Sequence, residues 1–104
     1  MAELCFEGIT ILGMSGAVPA NTIKNRNFTK YFDQETVNDI IDKTGVEERR
    51  ISNDNTTSSD LCYAAAEKLI KDLNIDRSDI SVLLFVSQTP DYRMPATSVI
   101  LQGK

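Results

Sequence analysis

The chain has 104 residues, 41% hydrophobic and 25% charged, with a net charge of -4. That is globular composition sized for one domain, since domains commonly run to about 100–150 residues. It contains 0 His, which excludes Ser–His–Asp and Cys–His catalysis and His-based metal sites within it. The 2 cysteines, Cys5 and Cys62, are too distant for a clustered zinc site and too few for a disulfide scaffold. The acidic balance argues against a nucleic-acid partner. No apolar run approaches the about 20 residues that cross a bilayer, and Glu3 without a basic leader argues against secretion. The expectation is a cytoplasmic α/β piece with no metal, no nucleic acid and no membrane.

In chain order, residues 9–12, extended backwards by Leu4, Cys5 and Phe6, read as a β-strand closed by Gly13-Met14-Ser15-Gly16. Gly13 and Gly16 lack the spacing of a dinucleotide or phosphate loop, so they read as a tight turn. Asn25 or Asn27 can cap a short helix through Tyr31. A helix over 35–43 places Val37, Ile40 and Ile41 on one face and stops at Gly45.

After a polar loop at 53–58, Thr57 or Ser58 caps the longest helix. Leu61, Cys62, Ala65, Ala66, Leu69, Ile70 and Leu73 form its apolar stripe, and Asn74 terminates it. Cys62 on that stripe, like Cys5 on the strand, reads as a buried small hydrophobe rather than a reactive thiol. Residues 76–79 form a turn. Residues 80–86 are apolar on both faces, as in a central parallel strand. Pro95 opens a last helix over 96–102. The order implies a βαβ unit with a helix-covered parallel sheet. The apolar residues Val99, Ile100 and Leu101 fall just before the last residues, so the chain reads as a fragment of something longer.

One basic turn stands out. Arg49 and Arg50 either grip an oxyanion with their guanidinium forks or pair with Glu47, Glu48 or Asp54. Asp39, Asp91 and Arg93 read as ordinary surface charges. Residue chemistry alone yields no catalytic constellation.

Three motifs in order add a resemblance. They are Ile11-Leu12-Gly13-Met14-Ser15-Gly16-Ala17-Val18-Pro19; Lys43-Thr44-Gly45-Val46-Glu47-Glu48-Arg49-Arg50-Ile51, followed by Thr57-Ser58-Ser59-Asp60-Leu61 and the alanines 64–66; and Ser87-Gln88-Thr89-Pro90-Asp91-Tyr92-Arg93-Met94-Pro95-Ala96-Thr97. Together they resemble the N-terminal part of β-ketoacyl-acyl-carrier-protein synthase III, the condensing enzyme that initiates bacterial fatty acid synthesis. The resemblance covers nearly the whole chain.

It implies a thiolase-like fold, α/β with a five-stranded mixed sheet layered with helices, of which residues 1–104 hold the first βαβ portion of the first half. It implies an acyltransferase that performs a decarboxylative Claisen condensation of an acyl thioester with malonyl-carrier protein. The family's Cys, His and Asn would all lie outside this chain, leaving it inactive alone. The family's coenzyme A tunnel maps onto Lys43 and Thr44, with Asp39 where the family has a Trp that stacks on adenine. That departure favours a specialised relative with a different acyl donor.

Met94 maps to the residue that crosses the dimer interface toward the partner's acyl pocket. Arg49 and Arg50, with Lys43 and Arg93, are the local candidates for docking an acidic carrier protein. No covalent cofactor is implied. The coenzyme A thioester is a substrate, the partners are acyl-CoA or acyl-carrier protein and malonyl-carrier protein, and a homodimer is expected. The alternatives are another thiolase-fold enzyme, such as a hydroxymethylglutaryl-CoA synthase-like one, or a stand-alone α/β binding module. A self-sufficient module would be a stable monomer; a fragment would leave sheet edges and apolar faces open.

Overall fold

The computed structural model describes residues 5–104, so the Leu4 end of the expected first strand lies outside the described residues. The strand elements are β1 (Asn21–Lys24) and β2 (Glu48–Ile51). The α-helices are α1 (Gln34–Thr44), α2 (Ser58–Leu73) and α3 (Thr97–Gln102). Short 3-10 turns occupy Asn25–Asn27 and Arg77–Asp79.

The helix ends follow local chemistry. Asp33 caps α1 by accepting from the Thr36 amide at 2.7 Å, and Gly45 closes it in the left-handed region at φ 70°. That backbone costs a β-carbon-bearing residue about 1–2 kcal/mol, so a glycine there is a true stop signal. Thr57 and Asp60 form a complete capping box on α2, and Asn74 ends it at φ 50°. Asp76 accepts from the Ser78 amide at 2.9 Å and holds the next turn. Pro95 does not open α3. It follows a cis Met94–Pro95 bond, Ala96 is the N-cap, and the helix starts at Thr97.

The sheet differs from the expectation. β1 and β2 pair antiparallel, with Asn21 opposite Ile51 and Ile23 opposite Arg49. They clamp the ends of the α1 unit together, and the Asn25 amide continues the contact by donating to Glu47 O at 2.8 Å. Their polar letters, Asn-Thr-Ile-Lys and Glu-Arg-Arg-Ile, give no period-two apolar signal, and all eight positions are exposed.

The two segments expected as parallel strands, 9–12 and 80–86, carry no ladder among the described residues. Leu12, Val82, Leu84 and Val86 are 72–95% exposed. A segment apolar on both faces needs strand neighbours and a layer on each side, and the described residues supply neither. A groove of about 390 Å³, lined by Tyr63, Ile70, Ile80, Leu83 and Leu101 among others, lies where the 80–83 stretch faces α2 and α3.

Residues 13–19 are extended, with burial alternating at period two: Gly13, Ser15, Ala17 and Pro19 are half-buried, and Met14, Gly16 and Val18 are exposed. Gly13 is therefore not a turn glycine. A β-carbon there would meet Leu73 Cδ1 at 2.8 Å and Leu69 Cδ1 at 3.1 Å, so its service is close approach to α2.

Among the described residues the buried apolar core is small: Val37 and Ile41 on the inner face of α1. The radius of gyration is 18.9 Å, against about 13 Å for a compact chain of this length. The accessible surface is 9238 Å², where a closed monomer of this mass would expose about 5,800 Å². These residues form a scaffold whose apolar faces are largely uncovered.

Candidate functional site

The residues that the sequence singles out fall in three places. The first is the last turn of α1. Lys43 Nζ pairs with Asp39 at 2.7 Å across one helical turn, and both side chains are more than half exposed. Thr44 Oγ1 donates to Ile40 O at 2.7 Å and accepts from the Val46 amide at 3.3 Å. The Lys43 ammonium is thus a point charge held by its own helix neighbour, and the Thr44 hydroxyl is occupied in closing the helix. Such an exposed pair contributes only about 0.3–0.5 kcal/mol, so an incoming anion can displace it at little cost.

The second place is β2. Arg49 and Arg50 are successive strand residues and project to opposite faces. Arg49 Nε donates to Asn25 Oδ1 at 2.6 Å, and its guanidinium lies 4.8 Å from the centre of the Phe28 ring. Arg50 Nη1 donates instead to Ala20 O at 3.1 Å and Pro19 O at 3.4 Å. Neither forms an ion pair among the described residues, so the expected pairing with Glu47, Glu48 or Asp54 does not occur. Nor do the two converge on one oxyanion: each braces a different side of the ribbon. Arg49 also borders a small apolar pocket with Phe28, Phe32, Val37, Ile40 and Ile41.

The third place is the loop at 87–96, where Met94 is 85% exposed. The loop meets the N-terminus of α2, a junction missed by sequence reasoning because Asp91 looked like an ordinary surface charge. Ser59 is only 1% exposed and donates its hydroxyl to Asp91 Oδ2. These bonds hold the Asp91 carboxyl below its usual range, the Ser59 hydroxyl being the main cause. T-S-S-D at a helix start, with a T-P-D turn about thirty residues after it, was the available signal.

Beside it, Asp60 accepts from Lys104 Nζ at 2.8 Å and from the Thr57 amide at 3.0 Å. Lys104 first, then Thr57, lowers the Asp60 pKa to about 2 from 3.8. A depressed carboxylate contributes stability that is complete above its unfolded value and lost as pH falls through the folded one. The α2 cap therefore loosens between about pH 4 and pH 2. A carboxyl NMR titration of Asp60 should show its midpoint near 2; a midpoint at the ordinary 3.8 would contradict the Lys104 contact.

The cysteines depart from expectation. Cys5 and Cys62 are both exposed free thiols. Cys62 lies on α2 at a position no described element covers, so it is not the buried hydrophobe its stripe position suggested. Among the described residues no group of three or more His, Cys, Asp or Glu could hold a metal ion, and no helix is long and apolar enough to cross a membrane.

No family signature matches the chain. It is 40% identical over 96 residues to the β-ketoacyl-acyl-carrier-protein synthase III of Thiobacillus denitrificans, covering 90% of this chain and 29% of that protein. It is 39% identical over 95 residues to the enzyme of the same name from Latilactobacillus sakei, covering 90% of this chain and 28% of that one. The crystal structure of a 3-oxoacyl-(acyl-carrier protein) synthase from Burkholderia xenovorans superposes with a TM-score of 0.80 at 40% identity, over 86% of this chain and 27% of that one. The chain spans about three-tenths of the length of the curated relatives it matches. A scaffold this open, superposing on a solved synthase of the thiolase-like class, follows that fold locally without closing it. By sequence and by local fold the chain is a homologue of the β-ketoacyl-acyl-carrier-protein synthases III.

Proposed function

We propose that the protein carrying this chain is an acyltransferase of the synthase III type. It condenses an acyl thioester with malonyl-carrier protein, with loss of carbon dioxide, in the synthesis of fatty acids or a related lipid or secondary metabolite. The observation that carries the reading is the match to a solved synthase at 40% identity and TM-score 0.80 over 86% of the chain. In this reading residues 1–104 are the N-terminal part of the first thiolase-like half. The apolar segments at 9–12 and 80–86 take their sheet neighbours from the remainder. The acyl-accepting Cys and its His and Asn partners lie outside these residues, consistent with 0 His in the sequence. The whole enzyme works in the cytoplasm as a homodimer and needs no bound cofactor, because the coenzyme A thioester is consumed as substrate.

Within this chain Lys43 and Thr44 border the coenzyme A tunnel. Lys43 meets a phosphate as a point charge rather than a fork. Asp39 both repels that phosphate and competes for Lys43, as their 2.7 Å pair supports. The donor is therefore an unusual acyl-CoA or an acyl-carrier protein. Met94 is a pliable wall of the acyl pocket of the dimer partner. Arg49 and Arg50, on opposite faces of β2, serve carrier docking one at a time rather than as a clamp.

Mass spectrometry of the carrier protein after incubating the whole enzyme with acyl donors and malonyl-carrier protein tests the activity: a β-ketoacyl carrier is expected, and an unchanged malonyl carrier with every donor would refute it. Asp39→Trp tests the tunnel. The ring supplies a base-stacking face worth about 1–3 kcal/mol and releases Lys43. Coenzyme A should bind on the order of tenfold tighter by calorimetry; unchanged affinity would remove Lys43 and Thr44 from the tunnel.

A further inference from the structure

The segment after residue 86 lacks regular structure for ten residues, yet it is tied to one place on the fold. Asp91 Oδ2 accepts from the Ser59 hydroxyl and from Thr57 Oγ1 at 3.1 Å, while Oδ1 accepts from the Ser59 amide at 3.4 Å. Two residues earlier in the loop, Thr89 Oγ1 shares a hydrogen bond with Ser58 Oγ at 3.2 Å. Three consecutive residues at the start of α2 thus hold two residues of the loop.

The bonds are not equivalent. Thr57 Oγ1 has one proton and lies 3.0 Å from Asp60 Oδ2 as well as 3.1 Å from Asp91 Oδ2, so it is shared between two carboxylates. Ser59 offers both its hydroxyl and its amide to Asp91 and is shielded from water. A shielded hydroxyl that loses its acceptor is left unsatisfied away from water, so this contact resists opening where an exposed one would not. Asp91 also satisfies a first-turn amide that α2 cannot satisfy itself and sets a negative charge at the positive end of a 16-residue helix. The charged groups around it are Asp60, which opposes its ionisation, and Lys104, which feels its field.

We propose that Asp91 is a positioning residue: by plugging into Ser59 at the N-terminus of α2 it fixes the loop at 87–96, and so sets where Met94 is presented. The pin stands on the hydrogen-bond geometry. Its consequence for acyl selection rests on the reading of Met94 as a pocket wall.

Hydrogen–deuterium exchange on the whole protein tests the pin. In Asp91→Asn, peptides covering 88–96 should exchange on the order of tenfold faster while peptides within 62–72 stay unchanged. Ser59→Ala, which breaks the link from the helix side, should give the same pattern, and the double variant should be no looser than either single one, because one link is lost once. Unchanged loop exchange in both single variants, or additive loosening in the double, overturns the pin. Relative kcat/KM across short, branched and long acyl donors reads the consequence. A changed donor ranking in both variants supports the route through Met94. A loosened loop with unchanged ranking overturns that route and leaves the condensing reading to its own assay.

Discussion

Ile41→Ala lowers the stability of the protein by about 2–5 kcal/mol, the usual cost of truncating a buried Ile to Ala. Ile41 and Val37 are each 5% exposed, and they are the buried hydrophobic residues of the described structure. They sit one helical turn apart on α1, and its other strong apolar residue, Ile40, is 45% exposed. Truncation therefore removes half of a two-residue core, and Val37 alone cannot collapse into the space. The same helix carries Asp39, Lys43 and Thr44, so its loosening would also disturb the tunnel edge proposed for Lys43 and Thr44. Urea unfolding checks this: the midpoint should fall with the m-value kept. A change within about 0.5 kcal/mol, the range of an inert surface substitution, would mean that α1 does not pack as described.

The second large effect is all-or-none. The 104-residue chain alone, given acyl-CoA and malonyl-carrier protein, should form no β-ketoacyl product, whereas the whole enzyme should. Condensation by this route needs a nucleophile with a base or a field that lowers its pKa. Cys5 and Cys62 are exposed. Cys62 lies inside α2 rather than at its N-terminus, where the helix field acts, and no His is present to serve either thiol. Product from the isolated chain would contradict this, and would point to Cys62.

How far the letters predicted the fold depends on how local the determining physics was. The stops at Gly45 and Asn74 and the capping box of Thr57 and Asp60 were readable because each is decided within four residues. The motif resemblance was readable too, because three spaced signatures had to agree. What failed was set at longer range. β1 and β2 are held by register with each other, and their polar residues carry no pattern to announce it. Residues 80–86 have the letters of a buried strand, but burial is a property of what surrounds a strand, and the described residues do not surround it. Cys62 was misread for the same reason, an apolar stripe without its cover. Arg49 and Arg50 had acidic neighbours in sequence, yet strand geometry turned them toward Asn25 and the carbonyls of Pro19 and Ala20. Asp91 was dismissed because its partners lie more than thirty residues away.

If the whole protein is the proposed condensing enzyme, its reactive sulfur is neither Cys5 nor Cys62. The whole protein, treated with a radiolabelled or mass-tagged acyl-CoA or acyl-carrier protein and then digested, reports where the acyl group resides. Acylation of a cysteine outside residues 1–104 is the predicted result. Acylation at Cys62 or Cys5, or no thioester with any donor, would contradict it.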